Sequence, residues 1–353
     1  MGFIRRFLLG CFVLILLSLL FRLFGPLSPR RSETKSTFFA MDTVMTIQAY
    51  GVPEAVINRC VEVITDLDWR WSVTNPAGEI TALNRDGKGA VSGDTAEVIR
   101  LGCEYGELTD GALDISIYPV VRLWGFTSDD QTVPDEMLLC SSLEKVSYKN
   151  IQCDGERVLL SKDMALDLGG IAKGYAGDLL IQLLRSNGAT SALLNLGGNV
   201  QCLGRKPDGG PWRVAVQNPF GDGYVGVVAA ADEAVVTSGG YRRYFVDSQG
   251  HRRWHILDSA TGMPAESGLT SVTVVGKGGA HCDALSTAFF VMGLDRTVTY
   301  WRKHGGIDVI LVTQEGNLYV TASLASRFTP SRTYARRYHV LDEAGGVSVD
   351  KIR

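Results

Sequence analysis

The chain is predicted to fold as a mixed α/β domain of the α+β class, on three observations. Residues 43–50 alternate apolar and polar, with Met45, Ile47 and Ala49 on one face, which is the period of a strand. Residues 53–67 place Val56, Ile57, Cys60, Val63, Ile64 and Leu67 at helical spacing. From Thr37 onward such segments keep alternating without a repeat, a low-complexity tract or a clean internal boundary. One large domain over 37–334, made of two intimately packed subdomains, is the expected architecture.

The remaining elements follow in order. Asp94 is placed to cap a second helix carrying Val98, Leu101, Tyr105 and Leu108. A third helix runs from about Gly174 to Arg185 and stops at Asn187-Gly188, a usual helix exit. Strands are predicted at 192–196, 213–217, 271–275 and 308–313. The charged stretch 335–353, with Gly345-Gly346 inside it, is expected to be a mobile C-terminal tail.

The N-terminus carries the information on compartment. Arg5 and Arg6 precede an apolar run that reaches from Phe7 to Phe24, relieved by Gly10, Ser18 and Arg22. Basic residues before about 18 mostly apolar ones read as an export signal or a signal anchor, near the lower length limit for crossing a bilayer. No small-residue cleavage site follows, so residues 1–27 are expected to be an uncleaved anchor, with a polar linker over 28–36. Leu8-Leu9-Gly10-Cys11 also resembles the lipobox of a lipoprotein, although most of the apolar run follows that cysteine. Either way the domain is expected on the extracytoplasmic face of the cell (inner) membrane. A buried N-terminal helix of a cytoplasmic protein is the competing reading. The basic flank and the all-round hydrophobicity count against it.

Charge and cysteines exclude some classes. A net charge of -3 offers no electrostatic reason to expect nucleic acid. None of the seven cysteines forms a C-x-x-C pair, which argues against a zinc site or thioredoxin-like chemistry. In an exported domain some could pair as disulfides, and small buried apolar residues are an equally good reading of them.

Five segments could carry chemistry. Asp283 and Thr287 are four apart on an apolar helix, so a carboxylate and a hydroxyl share one face, with Ser286 adjacent. Hard cations such as magnesium take such oxygens. A helix-capping aspartate and a back-bonding threonine would leave the same pattern. Leu166-Asp167-Leu168-Gly169-Gly170-Ile171-Ala172-Lys173-Gly174-Tyr175 ends at a helix start, where backbone N–H groups can meet a phosphate, or it is simply a tight strand-to-helix turn. Further glycine loops lie at 195–199 and 237–241. His255, in a strand-like context next to a turn, is a candidate general base or phosphate donor, or a structural histidine. Gly-x-Ser-x-Gly is absent, which argues against a serine hydrolase.

Taken in order, these segments resemble the ApbE family of FAD:protein FMN transferases. The matching stretches are M-D-T at 41–43, G-A-L-D-I-S-I-Y-P-V-V-R-L-W-G-F at 111–126, L-D-L-G-G-I-A-K-G-Y-A-G-D at 166–178, N-L-G-G-N at 195–199 and T-S-G-G-Y at 237–241. H-I-L-D-S-A-T-G-M-P from His255 and C-D-A-L-S-T-A from Cys282 complete the set, and the resemblance spans roughly 37–323. It implies an ApbE-like fold in which Met41, Ala112, Leu113, Asp114, Gly169, Tyr175 and Leu257 line an FAD site, with Trp71 a weaker member. It implies a magnesium ion held by the Ala172 carbonyl and the side chains of Asp283 and Thr287, beside Ser286. It also makes His255 the catalytic histidine, with Asp258 next to it as the other candidate base.

The implied reaction is magnesium-dependent cleavage of the FAD pyrophosphate, FMN passing to a threonine or serine of an acceptor protein and AMP leaving. The expected acceptor is a subunit of a membrane redox complex. Two other readings share the same residues: an FAD pyrophosphatase, in which water attacks, and a non-catalytic FAD-binding membrane protein. The chain departs from the family pattern at Asp42, Ser259, Gly240 and Gly78, where a glycine, a proline, an aspartate or asparagine, and a serine are usual. None of these removes a proposed metal ligand or His255.

Overall fold

A computed structural model describes residues 32–128, 130–342 and 347–348. The apolar N-terminal run, Cys11 and residues 28–31 of the expected linker lie outside the described residues.

The described residues open with a hairpin. Strands β1 (Glu33–Ala40) and β2 (Thr43–Tyr50) pair antiparallel with Ala40 opposite Thr43, leaving Met41 and Asp42 as a two-residue turn. Both turn residues have positive φ, 47° and 57°, the requirement of the type I′ hairpin that matches strand twist. Residues 33–36, expected in the linker, are therefore already part of the sheet.

Helix α1 (Glu54–Trp71) starts after Pro53 and runs four residues beyond the predicted end. Its buried positions Ile57, Cys60, Ile64, Leu67 and Trp71 recur every three or four residues. Next come α2 (Glu79–Asp86), β3 (Lys88–Ala90) and α3 (Gly93–Leu108). Asp94 does not cap α3. Ser92 holds that position, and its N–H donates to the Glu79 carboxylate at 3.0 Å. The chain continues through α4 (Tyr118–Leu123), α5 (Glu136–Leu143), β4 (Ile151–Asp154) and β5 (Arg157–Leu160).

The second half supplies most of the sheet. Helix α6 (Ala172–Ser186) is followed by β6 (Ser191–Leu196), β7 (Asn199–Leu203), β8 (Trp212–Gln217), β9 (Tyr224–Ala230) and β10 (Ala234–Gly239). Then come β11 (Tyr244–Val246), β12 (Arg252–Trp254), β13 (Leu269–Gly276) and α7 (Gly279–His304). The chain ends with β14 (Ile307–Thr313), β15 (Leu318–Thr321), α8 (Ala322–Ala325), β16 (Phe328–Pro330), β17 (Tyr338–Leu341) and β18 (Val347–Ser348).

Ten strands form one sheet in the order β1-β2-β6-β7-β10-β13-β14-β15-β17-β18, antiparallel except where β15 meets β17. Residues 338–341 are thus a sheet strand, which corrects the expectation of a mobile tail from 335. Their Tyr-His-Val-Leu sequence buries three of four residues.

The sheet is covered on both faces, and this explains its composition. Val274, Val309 and Leu311 face the helices, in one core with Ile64 and Phe289. Val275, Ile310 and Val312 face the three-stranded sheet β16-β9-β8, in a second core with Trp212, Val214 and Val228. A strand buried on both sides has no polar alternation, so β14 reads as a nearly unbroken apolar run. Each buried Val, Leu or Ile stabilises by about 1.5–3 kcal/mol. The helix-side core also takes in Ile80, Leu83, Val98 and Leu113, so the two halves of the chain share it. A third cluster, around Trp124, Phe126 and Leu257, fastens the α4–α5 region to the 255–263 loop, with Trp124 Nε1 donating to the Gly262 carbonyl at 2.8 Å.

Candidate active site

Two helix starts meet under the sheet. Gly174 in the first turn of α6 lies so close to α7 that a Cβ there would overlap the Gly279 carbonyl. Asp178, one turn further along α6, accepts the N–H groups of Gly279 and Ala280 at 2.6 and 2.9 Å. It thereby satisfies the free N–H groups at the start of α7. Asp283 therefore has no capping duty: it sits in the second turn of α7, only 4% exposed. Its Oδ2 accepts the Gly174 N–H at 2.8 Å. Burial pushes its carboxyl above the usual carboxylate range, while Lys173, the Gly174 N–H and Asn199 pull it down.

Ser286 and Thr287 complete an oxygen cluster. Ser286 Oγ donates to the Asp283 carbonyl at 2.9 Å, so the back-bonding falls to the serine. Ser238 of β10 lies 2.8 Å from Ser286 Oγ and 3.3 Å from Thr287 Oγ1. Gly170 faces the same place: a Cβ on it would stand 3.6 Å from Thr287 Oγ1 and 2.8 Å from Leu113 Cδ1. Ala172 opens α6 two residues before Gly174. Among the described residues no three His, Cys, Asp or Glu side chains cluster. A cation here would rest on one carboxylate with hydroxyl and carbonyl oxygens, the donor set of magnesium or calcium. The desolvated Asp283 is a group whose charge a bound cation would offset.

The second wall is built on β11 and β12. His255 follows β12, and both its backbone N–H and its ring Nδ1 lie on the Arg243 carbonyl, at 3.2 and 3.1 Å. A carbonyl only accepts, so Nδ1 carries the proton and Nε2 keeps its lone pair. Burial of the ring, with Arg243, Lys173 and Arg242 nearby, lowers the His255 pKa to about 4. Arg243 also pairs with Asp42 of the hairpin turn at 3.9 Å and donates to the Phe126 carbonyl. Asp167 Oδ1 accepts the Gly169 N–H at 2.7 Å. Burial raises the Asp167 carboxyl, with the Gly169 N–H, Arg243 and Lys173 opposing. Lys173 reaches the Gly169 carbonyl at 3.3 Å.

Other candidates serve this site indirectly. Asp114 is buried, with Oδ1 taking the N–H and hydroxyl of Ser116 and Oδ2 taking the Tyr148 N–H, so its carboxylate is committed to the chain. Ala112 and Leu113 are buried beside it. Asp258 Oδ1 accepts the Ala260 N–H at 2.9 Å and its carbonyl accepts from Thr261 and Gly262. That oxygen and the backbone carbonyl shape a turn. Leu257 is buried in the Trp124 cluster. Trp71 is 5% exposed, donates to Thr95 Oγ1 at 2.8 Å and meets Tyr175 edge-on at 5.9 Å. The Tyr175 hydroxyl is on Asp94 at 3.4 Å. Met41 packs on the main core from its turn.

Residues 195–199 form a second tight hairpin, with Gly197 and Gly198 at φ 65° and 94° between β6 and β7. Residues 237–239, read as a glycine loop, are instead the end of β10. Ser259, where a proline is usual, donates to the Gly111 carbonyl at 2.6 Å and ties the 255–259 segment to the 111–114 segment. Sequence reasoning missed Lys173, Asp167, Arg243 and Ser238 as members of the site. The first two stood inside a glycine-rich stretch already singled out. Ser238 stood inside the 237–241 stretch, also singled out, whereas Arg243 gave no signal.

With this geometry in hand, comparison with known proteins is direct. The ApbE family profile matches residues 41–311. A curated FAD:protein FMN transferase from Klebsiella pneumoniae (strain 342) is 31% identical over 340 residues, 91% of this chain and 95% of that protein. The ApbE protein of Thermotoga maritima superposes with a TM-score of 0.79 at 32% identity, covering 84% of this chain and 99% of that one. The flavin transferase ApbE from Vibrio cholerae gives 0.76 at 25% identity over 84% and 99%. By sequence over most of its length and by its mixed α+β fold, the chain belongs to the ApbE family.

Proposed function

We propose that this chain is an FAD:protein FMN transferase whose chemistry takes place between the Asp283 cluster and His255. Its curated relatives carry that activity in their names. The observation that supports this placement is Lys173. Its charge acts on both Asp283 and His255, from the first turn of α6 that also supplies the Gly174 N–H to Asp283.

FAD is the substrate, and its pyrophosphate would lie along the Gly169–Ala172 turn at the start of α6, beside the Lys173 ammonium. Magnesium, held by Asp283, Thr287 and the Ala172 carbonyl with Ser286 alongside, would neutralise the pyrophosphate and lower its resistance to an incoming oxygen. His255 Nε2 accepts the proton of a threonine or serine hydroxyl of the acceptor protein. A bond forms from that oxygen to the FMN phosphorus, the bond to the AMP phosphate oxygen breaks, and AMP departs. With a pKa near 4, His255 is neutral and ready to accept at neutral pH.

The N-terminal run after Arg5 and Arg6 supports tethering to the cell membrane, by an anchor or through Cys11, with the domain on the extracytoplasmic face. A membrane redox-complex subunit is then an acceptor within reach. The test is the full-length chain with FAD, magnesium and an acceptor subunit, followed by mass spectrometry for an FMN adduct and chromatography for AMP. An adduct that disappears in Asp283→Ala and His255→Ala supports the proposal. AMP without adduct would make the chain a pyrophosphatase, and FAD binding with neither product would make it a flavin carrier.

A further inference from the structure

The geometry points to a docking trough for an extended, acidic segment of the acceptor protein, on the opposite face of β10 from the Asp283 cluster; this rests on the transferase reading above. Neighbouring strand residues point to opposite faces. Ser238 turns toward Ser286 and Thr287, while Thr237 turns away to Thr273 at 2.8 Å. On that far side Thr237 borders a cavity of about 610 Å³, and a second of about 450 Å³ adjoins it. Gln217 and Tyr241 line both, which makes them one trough.

The trough has the chemistry of a binding surface for an acidic chain. Arg242 lines the first cavity and Arg252 the second, and no Asp or Glu is among the lining residues of either. The protein as a whole is net negative, so this basic lining runs against its overall sign. Among the described residues neither arginine has a carboxylate partner. Arg242 donates to the Gly197 carbonyl and reaches Gln217 Oε1 at 3.5 Å, and Arg252 lies over the Tyr244 ring at 5.0 Å. Phe220 and Tyr244 are exposed at the rim of the second cavity, 53% and 40%, and offer apolar surface to side chains of the same segment.

Position ties the trough to the reaction. Arg242 adjoins Arg243, whose carbonyl holds His255. A segment lying across Tyr241 and Arg242 would therefore sit next to the residue that positions the base.

The test uses the full-length chain and two fluorescein-labelled twelve-residue peptides. Each has one central threonine and flanking apolar residues, one with two aspartates and the other with asparagines in their place. Anisotropy should show the aspartate peptide binding about five- to tenfold more tightly. Arg242→Gln and Arg252→Gln should each remove most of that preference, while FAD affinity, read from flavin fluorescence, stays at the wild-type value in Arg252→Gln. Arg252→Glu should bind a lysine version of the peptide better than the aspartate one. Binding of neither peptide, equal binding of both, unchanged preference in the glutamine variants, or a parallel fall in FAD affinity in Arg252→Gln would each overturn the proposal. Failure of the transferase reading shows separately, as absence of AMP and adduct, because the titration requires no turnover.

Discussion

The Asp283 carboxylate accepts the backbone N–H of Gly174 at 2.8 Å, so the first turn of one helix holds the side chain that the second turn of the other presents. Both ends of that link are buried. Asp283→Ala should therefore remove the carboxylate from the proposed metal site and lower AMP release by about a hundredfold or more. Magnesium should raise the melting temperature of the wild type through binding linkage and leave that of the variant unmoved. Thermal melts with and without the metal check this independently of turnover.

His255→Ala should lower the transfer rate by about 10²–10⁴, the usual range for loss of a general base. The pH dependence follows from its depressed pKa. Between about pH 4 and the ordinary histidine value of 6.5, the unfolded chain binds the proton and the folded one does not. The stability tied to this residue is thus present above pH 6.5 and lost as pH falls toward 4. Chemical denaturation across that window should show a steeper loss in the wild type than in His255→Ala. The rate, for its part, should show no inflection near pH 6.5 from this group.

Asp42 has φ 57° in the type I′ turn, where glycine carries no penalty. Its ion pair with Arg243 at 3.9 Å is exposed and worth little. Asp42→Gly should stabilise the protein by about 1 kcal/mol, read as a rise in denaturant midpoint at constant m-value.

Gly174→Ala would press a methyl group into the Gly279 carbonyl. The helices must separate, and a loss of about 1–3 kcal/mol is expected. Activity should fall further than stability accounts for, since Gly174 also holds Asp283. Comparing AMP release with the folded fraction separates the two effects.

Ser238→Ala removes the hydroxyl that touches both Ser286 and Thr287. The magnesium concentration for half-maximal activity should rise about ten- to a hundredfold, as for other groups that orient ligands from behind. The FAD requirement should stay unchanged.

Much of this was legible in the chain because local rules were obeyed. The β2 alternation, the α1 stripe and the Asn187 helix exit each followed from short-range sterics and burial, and the structure places them within a few residues. What was not legible came from elsewhere in the chain. Asp94 looked like a cap because it precedes an apolar stripe, but Ser92 holds the cap position and Asp94 lies inside the helix. Asp114 was expected in the FAD site through the family resemblance and Asp258 as a base because it stands near His255; in the structure Asp114 Oδ1 takes the Ser116 N–H and Asp258 Oδ1 the Ala260 N–H. Ser238 was hidden in a strand that reads as a loop, and only the pairing of β10 with β13 carries it to α7. The tail looked mobile because its charge is high, whereas β17 joins the sheet by parallel pairing with β15, which no local pattern announces.

The hairpin at the chain's entry also acts as a ruler. Strand β1 is eight residues long, and its far end is the Met41–Asp42 turn, which faces Arg243 beside His255. At about 3.3 Å per residue the strand spans about 26 Å. If the segment before Glu33 is fixed to a bilayer, β1 sets how far the reacting end can stand off that surface. Under the tethering proposed above, acceptor hydroxyls within roughly that height would be the ones presented to the reacting end.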